Sequence, residues 1–168
     1  KDRVHKVLVF LGAADKHNAS FKMVKLLDKV LKNGTISLIT VQDQIQLHNS
    51  KNNNEIEYLP LSPDMGKYLE KTDVVITGGG LTKYECAYSC IPNASLTQTV
   101  EQDEEVQTFA KAGLTYYLGM AVNLDSQKDK VVEKIKEFIS LNVRWSLYEN
   151  GKNKFTTEST QTLVQAIL

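Results

Sequence analysis

Three consecutive glycines, Gly78, Gly79 and Gly80, follow the apolar run Val74-Val75-Ile76 and lead at once into a helix-compatible segment, 82–89, that carries Glu85. Glycine lets the backbone come close to a ligand, and the free N–H groups that open a helix favour an anion. Glu85, about a turn and a half into that helix, can accept hydrogen bonds from the hydroxyls of a sugar. Strand, glycine turn, helix and acceptor, in that order, point to a site for a nucleotide diphosphate. Each part also has a plainer reading. The glycines can serve tight packing of helix on sheet, Thr82 can cap the helix, and Glu85 can be a solvated acid.

Other chemistry-bearing residues are sparse. His5 precedes the first strand-like run and His48 lies in a polar segment, so both read as solvated; His17 stands beside a second glycine turn at Gly12 and can reach a phosphate. Cys86 and Cys90, four apart, share one helix face and read as small buried apolar residues. No Cys or His pair completes a zinc site around them, and a disulfide within one helix is geometrically poor. There is no Ser-His-Asp arrangement, P-loop lysine or metal motif, and no cofactor is expected. Asp15 reads as a loop-to-helix residue, Ser62-Pro63-Asp64 as a helix cap with proline in the first turn, and Trp145, Tyr116, Tyr117 and Tyr148 as packing of the last helices.

The elements that must position these residues alternate along the chain. Strands are predicted at 7–11, 36–41, 56–59, 74–77, 94–97 and 116–118. Helices are predicted at 21–31, 65–69, 82–89, 104–112, 127–140, 145–149 and 158–167. The strands are near-continuous apolar runs, as expected where both faces of a sheet are covered, and the helix over 21–31 carries an apolar stripe that Asn33-Gly34 stops. Such βαβα alternation predicts an α/β fold: a Rossmann-like parallel sheet with helices on both faces, in three layers α/β/α. Ligands of such sheets sit at the carboxyl ends of the strands, where Gly12 and Gly78–Gly80 both fall.

At 168 residues, with 42% apolar content and 20 basic against 20 acidic residues, the chain reads as one domain, 1–168. The neutral balance gives no electrostatic case for nucleic acid or a membrane surface, and no apolar run approaches a membrane span. Lys1-Asp2-Arg3 leads directly into a strand with neither a signal-peptide pattern nor an initiator methionine, which fits a cytoplasmic fragment of a larger protein.

Phe10-Leu11-Gly12-Ala13-Ala14-Asp15, the glycine loop with Glu85, and Val100-Glu101-Gln102 before Gly113 occur here in the order they take in sugar-nucleotide enzymes of the GT-B type. From about residue 6 onward the chain resembles the carboxyl-terminal half of the UDP-sugar hydrolase of pseudaminic acid biosynthesis, a group that includes spore-coat polysaccharide proteins. It is more distantly similar to the N-acetylglucosaminyl transferase that makes lipid II. The resemblance implies that Gly79, Gly80, Leu81 and Thr82 present backbone N–H groups and a hydroxyl to the diphosphate. It also implies that Glu85 binds the ribose, that Gln102 lies near phosphate or sugar, and that the base rests against backbone near 58–61. The partners implied are a UDP-sugar and an amino-terminal domain that carries the catalytic histidine.

Two departures stand out. Gly12-Ala13-Ala14 replaces a more glycine-rich turn, and the usual Asn-Gln pair is Glu101-Gln102, followed by Asp103, Glu104 and Glu105. Four acids in five positions repel a diphosphate unless they point away, although acids also suit the start of a helix. Three functions therefore stay open: the nucleotide-binding half of a hydrolase, the donor half of a GT-B glycosyltransferase, and a non-catalytic module appended to an enzyme such as a sugar-nucleotide cytidylyltransferase.

Overall fold

Strand β1 (Lys6–Phe10) sends Val7 and Val9 to one side of the sheet and Leu8 to the other, and all three are buried. That two-sided burial is why the strand is a continuous apolar run rather than an alternating one. The computed structural model describes residues 2–15, 17–40 and 53–155. It places β1 at the centre of a six-stranded sheet with β2 (Thr35–Ile39), β3 (Glu55–Leu59), β4 (Val74–Thr77), β5 (Asn93–Thr97) and β6 (Tyr116–Met120). The order is β3-β2-β1-β4-β5-β6 and every pairing is parallel.

Among the described residues six α-helices connect and cover the strands: α1 (Ala19–Val30), α2 (Gly66–Leu69), α3 (Thr82–Tyr88), α4 (Val100–Lys111), α5 (Lys128–Phe138) and α6 (Leu141–Lys154). Helices α1 and α5 close the larger core, with Met23, Leu27, Ile135 and Phe138 packed on Val7, Val9 and Ile76. The other face holds Leu8, Val75, Leu69 of α2 and Cys86 of α3. The result is the expected three-layer α/β/α Rossmann-like arrangement. Truncating one of these buried aliphatics to alanine costs roughly 2–5 kcal/mol.

Several boundaries depart from the sequence reading. Helix α4 starts at Val100 rather than 104, because Thr99 caps it by accepting the Gln102 N–H at 3.3 Å. Ser62 does not cap a helix: its hydroxyl accepts the Asp64 N–H at 3.1 Å in a local turn, and α2 begins only at Gly66. The predicted helix at 127–140 shortens to α5, and that at 145–149 grows into the 14-residue α6, which tolerates Gly151 because its bare Cα faces the Ala87 carbonyl of α3. Strand β6 runs two residues past its predicted end. His48, most of the Asn-rich loop and the predicted helix at 158–167 lie outside the described residues.

Candidate functional site

The sheet doubles back between β1 and β4: the chain leaves β1 toward β2 on one side, while β4 continues to β5 and β6 on the other. The loops after these two strands therefore diverge, and a crevice opens at their carboxyl ends. Gly12 closes β1 and Gly78–Gly80 closes β4, with Phe10 paired to Thr77 in register. The three glycines of the second loop have different physical roles. A Cβ on Gly78 would stand 2.1 Å from the Leu11 carbonyl oxygen, so that glycine is demanded by contact between the two loops. Gly79 takes a φ of +87°, and a Cβ there would meet Val106 at 3.0 Å. Gly80 has nothing within 4 Å of its would-be Cβ, and neither has Gly12. Packing thus accounts for Gly78 and Gly79, and the two open glycines face the crevice.

Beyond the glycines, the chain enters α3 without a side-chain cap. Leu81 occupies the cap position, 78% exposed, while Thr82 is largely buried at the first helical position and is not the cap. The backbone N–H groups of Gly80, Leu81 and Thr82 have no acceptor among the described residues. Gly79 N–H lies 3.5 Å from the Thr77 hydroxyl, which begins a buried ladder through Ser95 and Thr115 at 2.9 Å each. The loop is thus anchored from beneath, and its next three donors are left over.

Glu85 is exposed one turn along α3. Gln102 sits beside Gly79, whose would-be Cβ is 3.6 Å from the Gln102 Cβ. Its side-chain oxygen accepts the Gln98 N–H at 3.0 Å, so part of its capacity is spent closing α4. Gln98 was not singled out from sequence, yet both ends of its amide are buried without a protein partner on this edge. Such an amide carries the full cost of its desolvation. His17 is half-buried beside the first loop. Asp15 caps α1, accepting the Ala19 and Ser20 N–H groups at 2.9 and 3.0 Å, as expected of a loop-to-helix residue.

The acid run after β5 is largely occupied by partners. Asp103 accepts from Thr97 at 2.7 Å, Tyr117 at 2.6 Å and Gln107 at 2.6 Å. Burial pushes its carboxyl up, but these hydrogen bonds and the charge of Lys134 prevail and hold it below the ordinary range. Tyr117 is correspondingly pushed up to about 12 by burial and its bond to Asp103, so it ties β6 to α4, while its ring also meets Lys134 of α5 at 4.9 Å. Glu105 is held low by hydrogen bonds from Lys83 at 2.8 Å and from Tyr84, whose hydroxyl that same bond pushes up. Lys83 is the residue the sequence reading missed most plainly. Its side chain, 1% exposed, lies under the glycine loop.

Elsewhere, burial pushes the Cys86 thiol up to about 12, as befits an inert packed cysteine. Trp145 does not pack inward; it is 60% exposed and stacks on Tyr148 at 5.4 Å. The pair borders a cavity of about 380 Å³ with Asp73, Ile91, Pro92 and Arg144. That cavity lies at the amino ends of the strands, away from the glycine loops. Its volume is no guide to the chemistry, because the unpaired donors are at the carboxyl ends. No group of three metal-ligating side chains occurs among the described residues, and no helix among them is long and apolar enough to cross a membrane.

No protein-family profile matches the chain. Among curated proteins it is 25% identical over 158 residues to the spore coat polysaccharide biosynthesis protein SpsG of Bacillus subtilis (strain 168), covering 90% of this chain and 46% of that one. The chain thus spans about half the length of that relative. Among solved structures it superposes on Acinetobacter baumannii MurG with a TM-score of 0.74 at 16% identity, covering 99% of this chain and 52% of the other. Spinosyn rhamnosyltransferase SpnG complexed with thymidine diphosphate gives 0.61 at 14% identity, over 91% of this chain and 41% of that one. The fold is that of the carboxyl-terminal half of GT-B proteins, and the chain resembles the lipid II transferase in that half.

Proposed function

We propose that this chain binds a nucleotide-diphosphate sugar in polysaccharide biosynthesis, as the carboxyl-terminal half of a UDP-sugar hydrolase that makes a surface glycan such as pseudaminic acid or spore-coat polysaccharide. One observation carries the reading: three successive amides, those of Gly80, Leu81 and Thr82, are unpaired at the crevice where the sheet changes direction. A run of adjacent backbone donors without acceptors suits the oxygens of a diphosphate. Around them Gly12 admits close approach, Glu85 takes the ribose hydroxyls, Gln102 meets phosphate or sugar, and the base lies along the backbone after β3. The likeness to SpsG and to a structure that holds thymidine diphosphate supports this assignment.

In this reading the chain binds the nucleotide, and an amino-terminal half carries the catalytic histidine. Four exposed aliphatics, Leu61, Leu81, Val100 and Val122, each follow the end of a strand on this edge. They give that half an apolar rim to close on, and closure would restrain the water around the diphosphate. The protein would act in the cytoplasm, where sugar nucleotides are made.

A second reading, donor binding for glycosyl transfer, is favoured by the likeness to a rhamnosyltransferase. Hydrolysis and transfer share this half-site and differ in whether water or a hydroxyl attacks. Calorimetric titration of the chain with UDP, UDP-N-acetylglucosamine, CMP and inorganic phosphate tests the binding claim, with Gly80→Val as the blocked control. Uridine-selective binding lost in Gly80→Val is the expected result. No preference for UDP over phosphate would sink it and leave a non-catalytic docking module.

A further inference from the structure

We infer that Lys83 is a positioning residue for the diphosphate, pinning two carbonyls of the glycine loop so that the paired amides aim at the ligand. The inference rests on the nucleotide-diphosphate reading above. The Lys83 ammonium donates to the carbonyl oxygens of Gly79 at 2.7 Å and Gly80 at 3.3 Å, and to Glu105 at 2.8 Å. Its three N–H donors are thereby all used. In a trans peptide the carbonyl and the following N–H point in opposite directions, and no peptide here is cis. Turning the Gly79 carbonyl inward therefore turns the Gly80 N–H outward, and turning the Gly80 carbonyl inward does the same for Leu81. These are two of the three unpaired donors at the crevice.

At 1% exposure the ammonium cannot touch the ligand itself, so it acts only through the loop. A buried ammonium needs partners, and Lys83 has four: the two loop carbonyls, the half-exposed Glu105 of α4 and the Tyr84 ring 4.1 Å away, so it does not depend on Glu105 alone. The loop is left nearly neutral and binds through fixed amides rather than net charge. The competing account makes Lys83 a mere strut between α3 and α4. A strut needs Glu105 as much as it needs Lys83, whereas the pinned carbonyls need Lys83 alone.

The test is calorimetry on the full chain with UDP and with uridine, comparing wild type, Lys83→Met and Glu105→Gln. Lys83→Met is expected to lose about tenfold in UDP affinity, the effect of two misaimed donors, while uridine binding is kept. Glu105→Gln is expected to keep or tighten UDP binding, because the ammonium under the loop is then uncompensated. Equal losses in the two variants, or wild-type UDP affinity in Lys83→Met, would overturn the inference and leave the nucleotide reading standing. Wild type that binds UDP no better than uridine would remove both. Should Lys83→Met not fold, ¹⁵N spectra of the wild type decide: UDP must shift the Gly80 and Leu81 amides more than that of Gly78, and unmoved amides end the proposal.

Discussion

The two edges of the sheet are built on opposite principles. At the amino ends of the strands, side chains satisfy loop backbone one group at a time. Asp73 accepts the His5 and Lys6 N–H groups, Asn54 accepts from Gly34 and donates to Leu31, Asn93 donates to the Leu114 carbonyl, and Asn150 to that of Gly113. Helix α6 reinforces that edge, its Arg144 donating to the carbonyls of Ile139 and Asp2. At the carboxyl ends the loops are braced from below, by Asp15, Lys83 and the Thr77 ladder, while donors on top are left unmade and aliphatics stay exposed. An edge whose side chains close the loop backbone serves stability, whereas one that leaves three adjacent amides without an acceptor among the described residues is, on the proposed reading, kept open for a ligand.

The sharpest way to break this contrast is within the glycine loop itself. Gly78→Ala puts a methyl 2.1 Å from the Leu11 carbonyl oxygen and should destabilise the fold by about 3 kcal/mol or more, read by urea denaturation. A Cβ on Gly80 meets nothing within 4 Å, so Gly80→Val should stay within about 1 kcal/mol of wild type while losing UDP binding. Two glycines separated by a single residue would then divide cleanly between stability and ligand.

Next in size is Asn54→Ala on the amino edge. Asn54 is buried, holds the Gly34 N–H at 2.9 Å and donates to the carbonyls of Leu31 and Asp28 at 3.0 and 3.1 Å. Leaving those groups unpaired should cost about 2–3 kcal/mol in denaturation, with the nucleotide affinity of the folded protein unchanged. A selective loss of UDP binding in this variant would show the two edges to be coupled.

These contrasts also indicate what was legible in the sequence. The central strands were, because burial on both faces writes itself as runs such as Val74–Thr77. Helix α6 was not: its contacts go to α3 on one side and α5 on the other, so no single apolar stripe marks it, and Trp145 on its surface reads as core. The start of α4 was concealed because Gln102 reads as a site residue and nothing nearby marks Thr99 as the cap that accepts its N–H. Local order exposed the glycine loop, but not the division of labour among its glycines, which depends on Leu11 and Val106. Lys83 was invisible because its partner Glu105 lies on another helix.

A smaller effect follows from the brace at Asp103. Its carboxyl sits below the ordinary value, so it contributes stability that is fully present above the unfolded pKa near 4 and is lost as pH falls through the folded one. Melting temperature followed from pH 6 to pH 3 should drop more steeply for wild type than for Asp103→Asn, which has no such proton to take up. Identical acid limbs would mean the Thr97 and Tyr117 bonds do not favour the ionised form.

The smallest structural effect is expected at Glu85, and it is the most discriminating. Glu85 is exposed, so Glu85→Gln should change stability by no more than about 0.5 kcal/mol. If its carboxylate takes the ribose hydroxyls, wild type should bind UDP about fivefold or more tightly than 2′-deoxy-UDP, and Glu85→Gln should narrow that ratio while leaving the diphosphate contacts alone. The ratio reports on one hydroxyl, so it is insensitive to which sugar the diphosphate carries. A ratio near one in wild type would detach Glu85 from the site and leave the open amides of Gly80, Leu81 and Thr82 as the whole of what this half contributes.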